Sequence, residues 1–340
     1  NLAATTDANN GLINLGTLAV DGTVQLTTNG SGNATVVNDA GLNFAASTVG
    51  GNLAATATTG DISDSGDLTI TGATTFITGA SGSNIVLDSS GNAFSDSVTL
   101  KADAGNETFG NITFVDSAAV KLNSSAGTNG DLFIDASTDL AVGGNLSITA
   151  TTGNITQGAA VAVTGTTTLT TSANNATIAL DTTTNAFTGA VTITTNDNSG
   201  TDADVTIDGG TTALVLAAST IDGDLTVRSG NASGITDSGT VTVGGNLAAT
   251  TDANSGVINL GALAVDGTVQ LTTNGSGNAT VVNDAGLNFA ASTVGGALNA
   301  TATTGNMTDS GVLTIAGTSS FTTSANNADI TLNNVNALTG

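Results

Sequence analysis

Short runs in which apolar and polar residues alternate recur along the chain, and they predict β-strands. Within a run the apolar residues lie two positions apart, so one face of the strand is buried and the other faces solvent. Threonine, valine and isoleucine dominate these runs, and such β-branched residues suit a pleated, half-buried surface. The pattern therefore predicts an all-β protein. The clearest runs are Thr23–Leu26, Asp67–Thr71, Ser97–Leu100, Asn111–Phe114, Ala119–Leu122, Asp131–Asp135, Asn145–Thr149, Thr167–Thr171, Ala190–Thr194, Asp204–Asp208, Asp224–Val227 and Thr240–Val243.

Clusters of asparagine, glycine, aspartate and serine separate the runs and predict tight turns. Asparagine and glycine adopt the positive φ that tight corners need more readily than other residues do. Four Asn-Gly pairs are therefore expected at corners: Asn10-Gly11, Asn29-Gly30, Asn129-Gly130 and Asn274-Gly275.

Internal repeats organise the whole sequence. Leu18–Gly51 and Leu263–Gly296 are identical letter for letter, with a shift of 245 residues. A shorter signature, GGNL, begins at Gly50, Gly143 and Gly244, and ATTG blocks begin at Ala57, Ala150 and Ala302. The chain starts and stops inside such blocks, so we expect the native chain to continue through both ends, or the ends to stack on neighbours.

The repeats and the strand spacing together predict one fold. Three short strands take roughly 20–25 residues, which suits one coil of a parallel β-helix. A β-sandwich also has short strands and turns, but it would not carry a duplicated unit cut at arbitrary points. We therefore predict a right-handed parallel β-helix, or β-solenoid, that runs as a single continuous segment over 1–340. Residues 1–245 form one long repeat unit and 246–340 begin the next.

Composition narrows the classes of function. The net charge is −24, and the chain holds only three lysines and arginines, so no nucleic-acid partner is expected. Tryptophan, tyrosine, histidine and cysteine are absent, which removes the usual catalytic bases, nucleophiles and sugar-stacking platforms. We expect no enzyme activity. No apolar run approaches the roughly 18 residues of a membrane span.

The GGNL and ATTG blocks and the threonine-rich alternating strands resemble filamentous-haemagglutinin-like exoproteins and related giant β-strand-repeat surface proteins of bacteria. The resemblance covers the whole chain. It implies secretion to the bacterial cell surface, a right-handed β-helix, and a part in adhesion, biofilm or fibre formation. It transfers no functional residue, because none of the family's site motifs is present.

Aspartates in the glycine-rich turns are candidate calcium ligands, since Ca²⁺ prefers carboxylate and carbonyl oxygens. The alternative is that these residues only hydrogen-bond the local backbone of the turns. No other cofactor is indicated. The candidates are Asp61, Asp64 and Asp67 in one stretch and Asp197, Asp202 and Asp204 in another.

Two kinds of function remain open at this point. The first is a structural extracellular fibre or stalk, which self-associates end to end or laterally. The second is a receptor-binding adhesin, for a host or neighbouring-cell surface, or a calcium-dependent surface-layer component. A segment of uniform coils without a distinct tip domain favours the stalk.

Overall fold

The computed structural model describes residues 1–102, 110–123, 131–135, 140–196 and 203–340. These residues fold into parallel strands stacked as a β-solenoid of about 15 turns, with repeats of about 21 residues and no helix. The all-β solenoid prediction is confirmed. In the part of the chain that is described, no helix is long and apolar enough to cross a membrane.

The chain divides into two compact units, unit 1 (Asn1–Ala173) and unit 2 (Asn174–Gly340). The strands of unit 1 are β1 (Leu2–Asn9), β2 (Ile13–Leu18), β3 (Thr23–Asn29), β4 (Ala34–Asn38), β5 (Leu42–Phe44), β6 (Ser47–Val49), β7 (Leu53–Ala57), β8 (Ile62–Asp64), β9 (Leu68–Ile70), β10 (Thr74–Thr78), β11 (Ile85–Leu87), β12 (Ala93–Phe94), β13 (Val98–Ala102), β14 (Ile112–Asp116), β15 (Val120–Asn123), β16 (Asp131–Asp135), β17 (Leu140–Val142), β18 (Leu146–Ala150), β19 (Ile155–Gln157), β20 (Val161–Val163) and β21 (Thr167–Thr171).

Unit 2 contains the remaining strands. They are β22 (Ile178–Leu180), β23 (Ala186–Phe187), β24 (Val191–Thr194), β25 (Val205–Asp208), β26 (Leu214–Leu216), β27 (Ser219–Ile221), β28 (Leu225–Ser229), β29 (Ile235–Asp237), β30 (Val241–Val243), β31 (Leu247–Asn254), β32 (Ile258–Val265), β33 (Thr268–Asn274), β34 (Ala279–Asn283), β35 (Leu287–Phe289), β36 (Ser292–Val294), β37 (Leu298–Ala302), β38 (Met307–Asp309), β39 (Leu313–Ile315), β40 (Ser319–Thr323), β41 (Ile330–Thr331) and β42 (Ala337–Leu338).

Within each unit, strands pair in parallel with strands of the neighbouring coils. In unit 1, β4, β7, β10 and β13 form one stack, in which Ala34, Leu53, Thr74 and Val98 lie in register. A second stack runs from β11 through β14 and β18 to β21. In unit 2, β25, β28, β31 and β33 form one stack, while β29, β32, β34, β37 and β40 form another.

The core lies between the stacks and is filled by every second residue of each strand. The strands β4, β7, β10 and β14 alternate buried and more exposed positions, as the period-2 pattern predicted. In unit 1 the rings of Phe44, Phe76, Phe94 and Phe114 follow one another with centroid separations of 6.1, 6.2 and 5.3 Å. These side chains are almost fully buried, so apolar burial joins each coil to the next.

One region of unit 1 departs from the predicted coil length of 20–25 residues. Register partners lie 21 residues apart between Leu53 and Thr74 and 24 between Thr74 and Val98. From Ile112 to Leu146, however, the separation is 34 residues. The strands still pair in register, and this stretch contains an additional strand, since β16 pairs with both β13 and β15.

The duplicated sequence places its side chains identically in the two units. Strands β3 and β33 share one pattern of buried and exposed positions, and so do β4 and β34 and β5 and β35. Identical stretches of sequence thus bury the same side-chain positions.

The predicted corner residues adopt positive φ where the structure describes them. Asn10 has a φ of 61°, and Gly30 and Gly275 have values of 64° and 62°. Asn129-Gly130 lies outside the described residues. Ser255, which occupies the position of Asn10 in the second copy, has a φ of 63°. Serine is strained in this region, whereas asparagine tolerates it.

The Asn10/Ser255 pair yields a stability prediction. Replacement Ser255→Asn should raise the free energy of unfolding by about 1 kcal/mol, because asparagine relieves the strain at positive φ. The new amide should also accept a hydrogen bond from Ser276 N, as Asn10 Oδ1 accepts one from Ser31 N at 2.8 Å. The reverse change, Asn10→Ser, should lower stability by a similar amount. Urea denaturation of both variants provides the measurement, and effects of equal sign would contradict this account.

Candidate functional site

The corners that precede the strands of unit 1 are tied together by side chains of asparagine and aspartate. Asp61 Oδ1 accepts a hydrogen bond from Asn84 N at 2.8 Å, and Asn84 Oδ1 accepts one from Asn111 N at 2.7 Å. Asn111 Oδ1 accepts from Asn145 N at 2.9 Å, and Asn145 Oδ1 from Thr166 N at 2.8 Å. We call this series, in which each side chain bonds the backbone of the next coil, a side-chain ladder.

Unit 2 contains an equivalent side-chain ladder. Asp204 Oδ1 accepts from Asp224 N at 2.8 Å, Asp224 Oδ1 from Asn246 N at 2.6 Å, and Asn246 Oδ1 from Thr268 N at 2.9 Å. Aspartate and asparagine alternate freely along the ladder because the interaction uses only the acceptor oxygen that both side chains provide.

Glycine precedes every ladder residue except Asn84 and Asp204, and at the positions below the reason is steric. A Cβ atom added at Gly144 would lie 2.4 Å from Gly110 O and 2.7 Å from Asn111 Oδ1. At Gly165 it would lie 2.3 Å from Asn145 Oδ1. The side chain of one coil thus occupies the space that a Cβ would need in the next coil. This contact explains the glycine–asparagine pair inside the GGNL signature.

The calcium candidate Asp64 lies in a different environment from Asp61. Its residue is buried, with 8% of its surface exposed. Its Oδ1 accepts a hydrogen bond from Asp88 N at 2.9 Å, and its Oδ2 accepts one from Asn92 Nδ2 at 2.6 Å. From its buried position, Asp64 therefore hydrogen-bonds the turn of the following coil.

Asp67 lies at the next corner, where its Oδ1 accepts a hydrogen bond from Gly91 N at 3.1 Å. In the second candidate stretch, Asp204 is the first member of the unit 2 ladder, while Asp197 and Asp202 lie outside the described residues. Where the structure is described, no three acidic side chains form a group that could hold a metal ion. Each described candidate has a hydrogen-bonding role between coils, and calcium binding stays a prediction.

The sequence pattern did not single out Asp309, which repeats the arrangement of Asp64. Asp309 Oδ1 accepts a hydrogen bond from Asn333 N at 2.7 Å, and its Oδ2 accepts one from Asn336 Nδ2 at 2.7 Å. Although burial raises the pKa of this carboxyl, these hydrogen bonds outweigh burial and hold its pKa below the ordinary value. The sequence did contain a signal for Asp309, because this residue lies 245 residues after Asp64, which is the shift of the duplicated sequence.

A shallow groove occurs at the same place in both units. In unit 1 it has a volume of about 340 Å³, and the equivalent groove in unit 2 has a volume of about 320 Å³. Asn43 and Asn288 line the two grooves, and the Oδ1 atom of each is buried and accepts no hydrogen bond from a described group. The equivalent linings are Val20, Asp21, Gly22, Ala40, Gly41, Leu42, Asn43, Asp61 and Ser63 in unit 1, and Val265, Asp266, Gly267, Ala285, Gly286, Leu287, Asn288, Asn306 and Thr308 in unit 2.

The single arginine of the chain forms a contact between coils of unit 2. Arg228 donates from Nε to Asp252 Oδ2 at 2.5 Å and from Nη2 to Asp252 Oδ1 at 2.9 Å. Its Nε also lies 3.9 Å from Asp208 Oδ2. Burial raises the pKa of Asp208, although the Arg228 charge acts in the opposite direction. Arg228 therefore lies between two carboxylates, on the coil before it and the coil after it, that would otherwise repel each other.

Asp116 is the described carboxyl with the largest change in acidity. It ends β14 with only 3% of its surface exposed, and its Oδ1 accepts a hydrogen bond from Phe94 N at 3.1 Å. Burial raises its pKa to about 6, against the hydrogen bonds from the backbone. At pH 7 the Asp116 side chain is thus ionised, although its buried surroundings favour the protonated, uncharged form.

The steric account of the corners predicts the effect of two glycine substitutions. Gly144→Ala should destabilise the fold by about 2 kcal/mol or more, because the new methyl group meets backbone and ladder atoms. The matched control is Gly16→Ala, where the added Cβ would meet nothing closer than Asn14 Oδ1 at 3.8 Å. Thermal unfolding should show a loss only for Gly144→Ala, and equal losses would contradict the steric account.

The raised pKa of Asp116 predicts a pH dependence of stability. The folded state keeps the proton more tightly than the unfolded state, so this stabilisation is complete below pH 3.8 and is lost as the pH rises through about 6. Between pH 4 and pH 7 the protein should lose about 3 kcal/mol through this group. In Asp116→Asn the loss should be smaller by that amount. Parallel pH profiles of the two proteins in denaturant titrations would contradict the assignment.

Comparisons with known proteins identify the repeat family. Searches of curated proteins and of solved structures returned no match. The family model described as "Repeats of unknown function (DUF5649)" matches residues 31–101, 109–194, 202–260 and 276–340, which is well over half of the chain. The chain, whose repeats form a β-solenoid, therefore belongs to the family Repeats of unknown function (DUF5649).

Proposed function

We propose that this chain is a structural element of an extracellular fibre or stalk of a bacterial surface protein. The observation that carries the proposal is the repeated joint between coils. Each joint combines an in-register parallel pairing, an apolar core contact and a bond of the side-chain ladder, as at Asn111 and Asn145. Such a joint contacts only its neighbours, so length can be added without changing the contacts already made.

The distribution of charge supports a structural role. The strand positions that face outward in β4, β7 and β10 carry only threonine, valine, alanine and isoleucine. Several carboxylates lie instead at the corners, where Asp61, Asp204 and Asp224 accept hydrogen bonds from the next coil. Side chains that are already used between coils contribute to the rigidity of a stalk.

The sequence resemblance to filamentous-haemagglutinin-like exoproteins supports secretion to the cell surface. It also fits an acidic composition without cysteine, tryptophan, tyrosine or histidine. Adhesion, biofilm or matrix formation would then depend on the length and surface of the fibre and not on catalysis.

A receptor-binding adhesin is the second candidate, and the duplicated groove favours it. A ligand that entered the groove would contact Asn43 or Asn288, each of which has a buried Oδ1 that accepts no hydrogen bond from a described group. Glycan-array binding that is lost in the double variant Asn43→Leu, Asn288→Leu would favour the adhesin over the passive stalk.

The stalk predicts a specific diffraction pattern. Native surface material that contains this chain should form fibres, and aligned fibres should give a reflection near 4.8 Å along the fibre axis, since coils stack at the spacing of strands. Electron microscopy and fibre diffraction supply the measurements. Isolated globular particles without any axial reflection would refute the proposal.

Treatment of the same material with a chelator tests the calcium-dependent alternative. Rods of net charge −24 repel one another, and salt or divalent cations screen that repulsion. If calcium bridges the rods, removal of calcium should separate the lateral bundles and leave single fibres intact. Bundles that are indifferent to chelator would refute calcium bridging alone.

A further inference from the structure

The duplicated groove lies across three consecutive corners of the solenoid in each unit. The outward side chains beside it come from three successive coils and stand in register. The rows are Thr23, Asn43 and Ser63 in unit 1 and Thr268, Asn288 and Thr308 in unit 2. The two grooves therefore have the same construction.

The groove of unit 2 has a further coil on each side. On the preceding coil, Asn246 Oδ1 accepts a hydrogen bond from Thr268 N at 2.9 Å. On the following coil, Asp329 N donates to Asn306 Oδ1 at 2.9 Å. The groove is thus a feature of the side of the stack, and it persists where the stack continues in both directions.

Aliphatic residues supply part of the lining. Leu42 and its counterpart Leu287 are each 1% exposed, and Ala40 and Ala285 lie beside them. The volume of about 340 Å³ in unit 1 is at the lower end of the range of roughly 300–1,000 Å³ that is typical of ligand pockets. A groove of this size suits one side chain with an aliphatic stem.

Exposed carboxylates also line the groove. Unit 1 has Asp21 and Asp61, whereas unit 2 has Asp266 and the neutral Asn306 at the equivalent positions. Both linings consist of described residues, and neither contains lysine or arginine. An aliphatic surface next to a carboxylate is complementary to a basic side chain, which has an apolar stem and a cationic head.

The chain has few cations of its own to complement these carboxylates. It contains 27 acidic and three basic residues, and Arg228 already donates a hydrogen bond to Asp252. The net charge of −24 would attract a cationic partner and accelerate its encounter with the chain. A calcium ion fits the groove less well, because it takes about six to eight oxygen ligands and would not use the aliphatic lining.

We propose that each groove binds a basic side chain, of lysine or arginine, from a cationic protein or peptide partner. The stem lies against the aliphatic lining, and the head is attracted by Asp21 and Asp61 in unit 1 and by Asp266 in unit 2. The groove of unit 1 is then the tighter site. The inference rests on the adhesin candidate, because it names the chemistry of the partner that the groove takes.

Saturation-transfer NMR of the full chain tests the binding of a basic side chain. The probes are Nα-acetyl-lysine amide and Nα-acetyl-arginine amide, and saturation should reach the methylene protons of the stem. The probe that binds more tightly identifies the basic residue. A lysine probe that is also acetylated at Nε has no charge and should show little saturation. Equal saturation of this neutral probe, or none of either basic probe, would overturn the proposal.

Substitutions locate the binding site. The double variant Asp21→Asn, Asp61→Asn should raise the dissociation constant about fivefold, as expected for an exposed ion pair. Asparagine at position 61 keeps the ladder acceptor, since Asn306 provides it in unit 2. The matched control Asp7→Asn, Asp88→Asn removes the same charge from exposed residues outside the groove. Equal effects of the two double variants would show a general attraction of charge and refute the site.

A gain of binding provides a stricter test. Asn306→Asp gives the groove of unit 2 the same two carboxylates as that of unit 1. Added to Asp21→Asn, Asp61→Asn, it should restore most of the lost affinity, which a general loss of stability could not do. If this triple variant binds no more tightly than the double variant, the assignment to the groove is wrong.

These results separate the inference from the proposed functions. Glycan binding that depends on Asn43 and Asn288, without binding of either basic probe, would refute the basic partner and leave the adhesin candidate. Fibres with an axial reflection near 4.8 Å and no probe binding would likewise refute the inference and leave the stalk intact. Groove-specific probe binding in a protein whose native material forms no fibres would refute the stalk alone.

Discussion

The hydrogen bond from a corner asparagine or aspartate to the backbone of the next coil is the interaction on which the rest of the structure depends. It supplies an acceptor for a backbone N–H at a turn, where strand pairing alone would leave the donor without a partner. It also requires glycine in the next coil at positions such as Gly144 and Gly165, where the side chain occupies the space of a Cβ, whereas Ser83 precedes Asn84 in the same ladder. The two requirements fix where each coil begins relative to the coil before it. The alternating strands then place Leu, Ile, Val and Phe in the core.

Much of the fold could be predicted from the sequence. The period-2 alternation identified the strands, and repetition without a change of composition separated a solenoid from a sandwich. The separation of 34 residues between Ile112 and Leu146 could not be predicted, because the alternation of Asp131–Asp135 predicts a strand but does not show that it is an additional strand of this stretch. Ser255 was also missed, since serine does not ordinarily indicate a positive φ. Only its equivalence to Asn10 could have revealed it.

The sequence located the candidate carboxylates but not their individual environments. Asp61, Asp64 and Asp67 are close along the chain, which suggested a common site. In a strand, however, residues an odd number of positions apart face opposite sides. Asp61 therefore bonds Asn84 at a corner, while Asp64 is buried against Asn92. The duplicated groove had no sequence signature, because it arises from the relative positions of three successive coils.

The hydrogen bonds of the ladder give a stack of coils a chemical direction. In every bond of the series from Asp61 to Thr166, the earlier coil supplies the oxygen and the later coil supplies the N–H. A stack built in this way presents acceptors at one end and donors at the other. Two like ends cannot satisfy each other through these groups, so an assembly that used the ladder would be head to tail and open-ended. A filament of such chains would be polar, with two ends that differ in their chemistry.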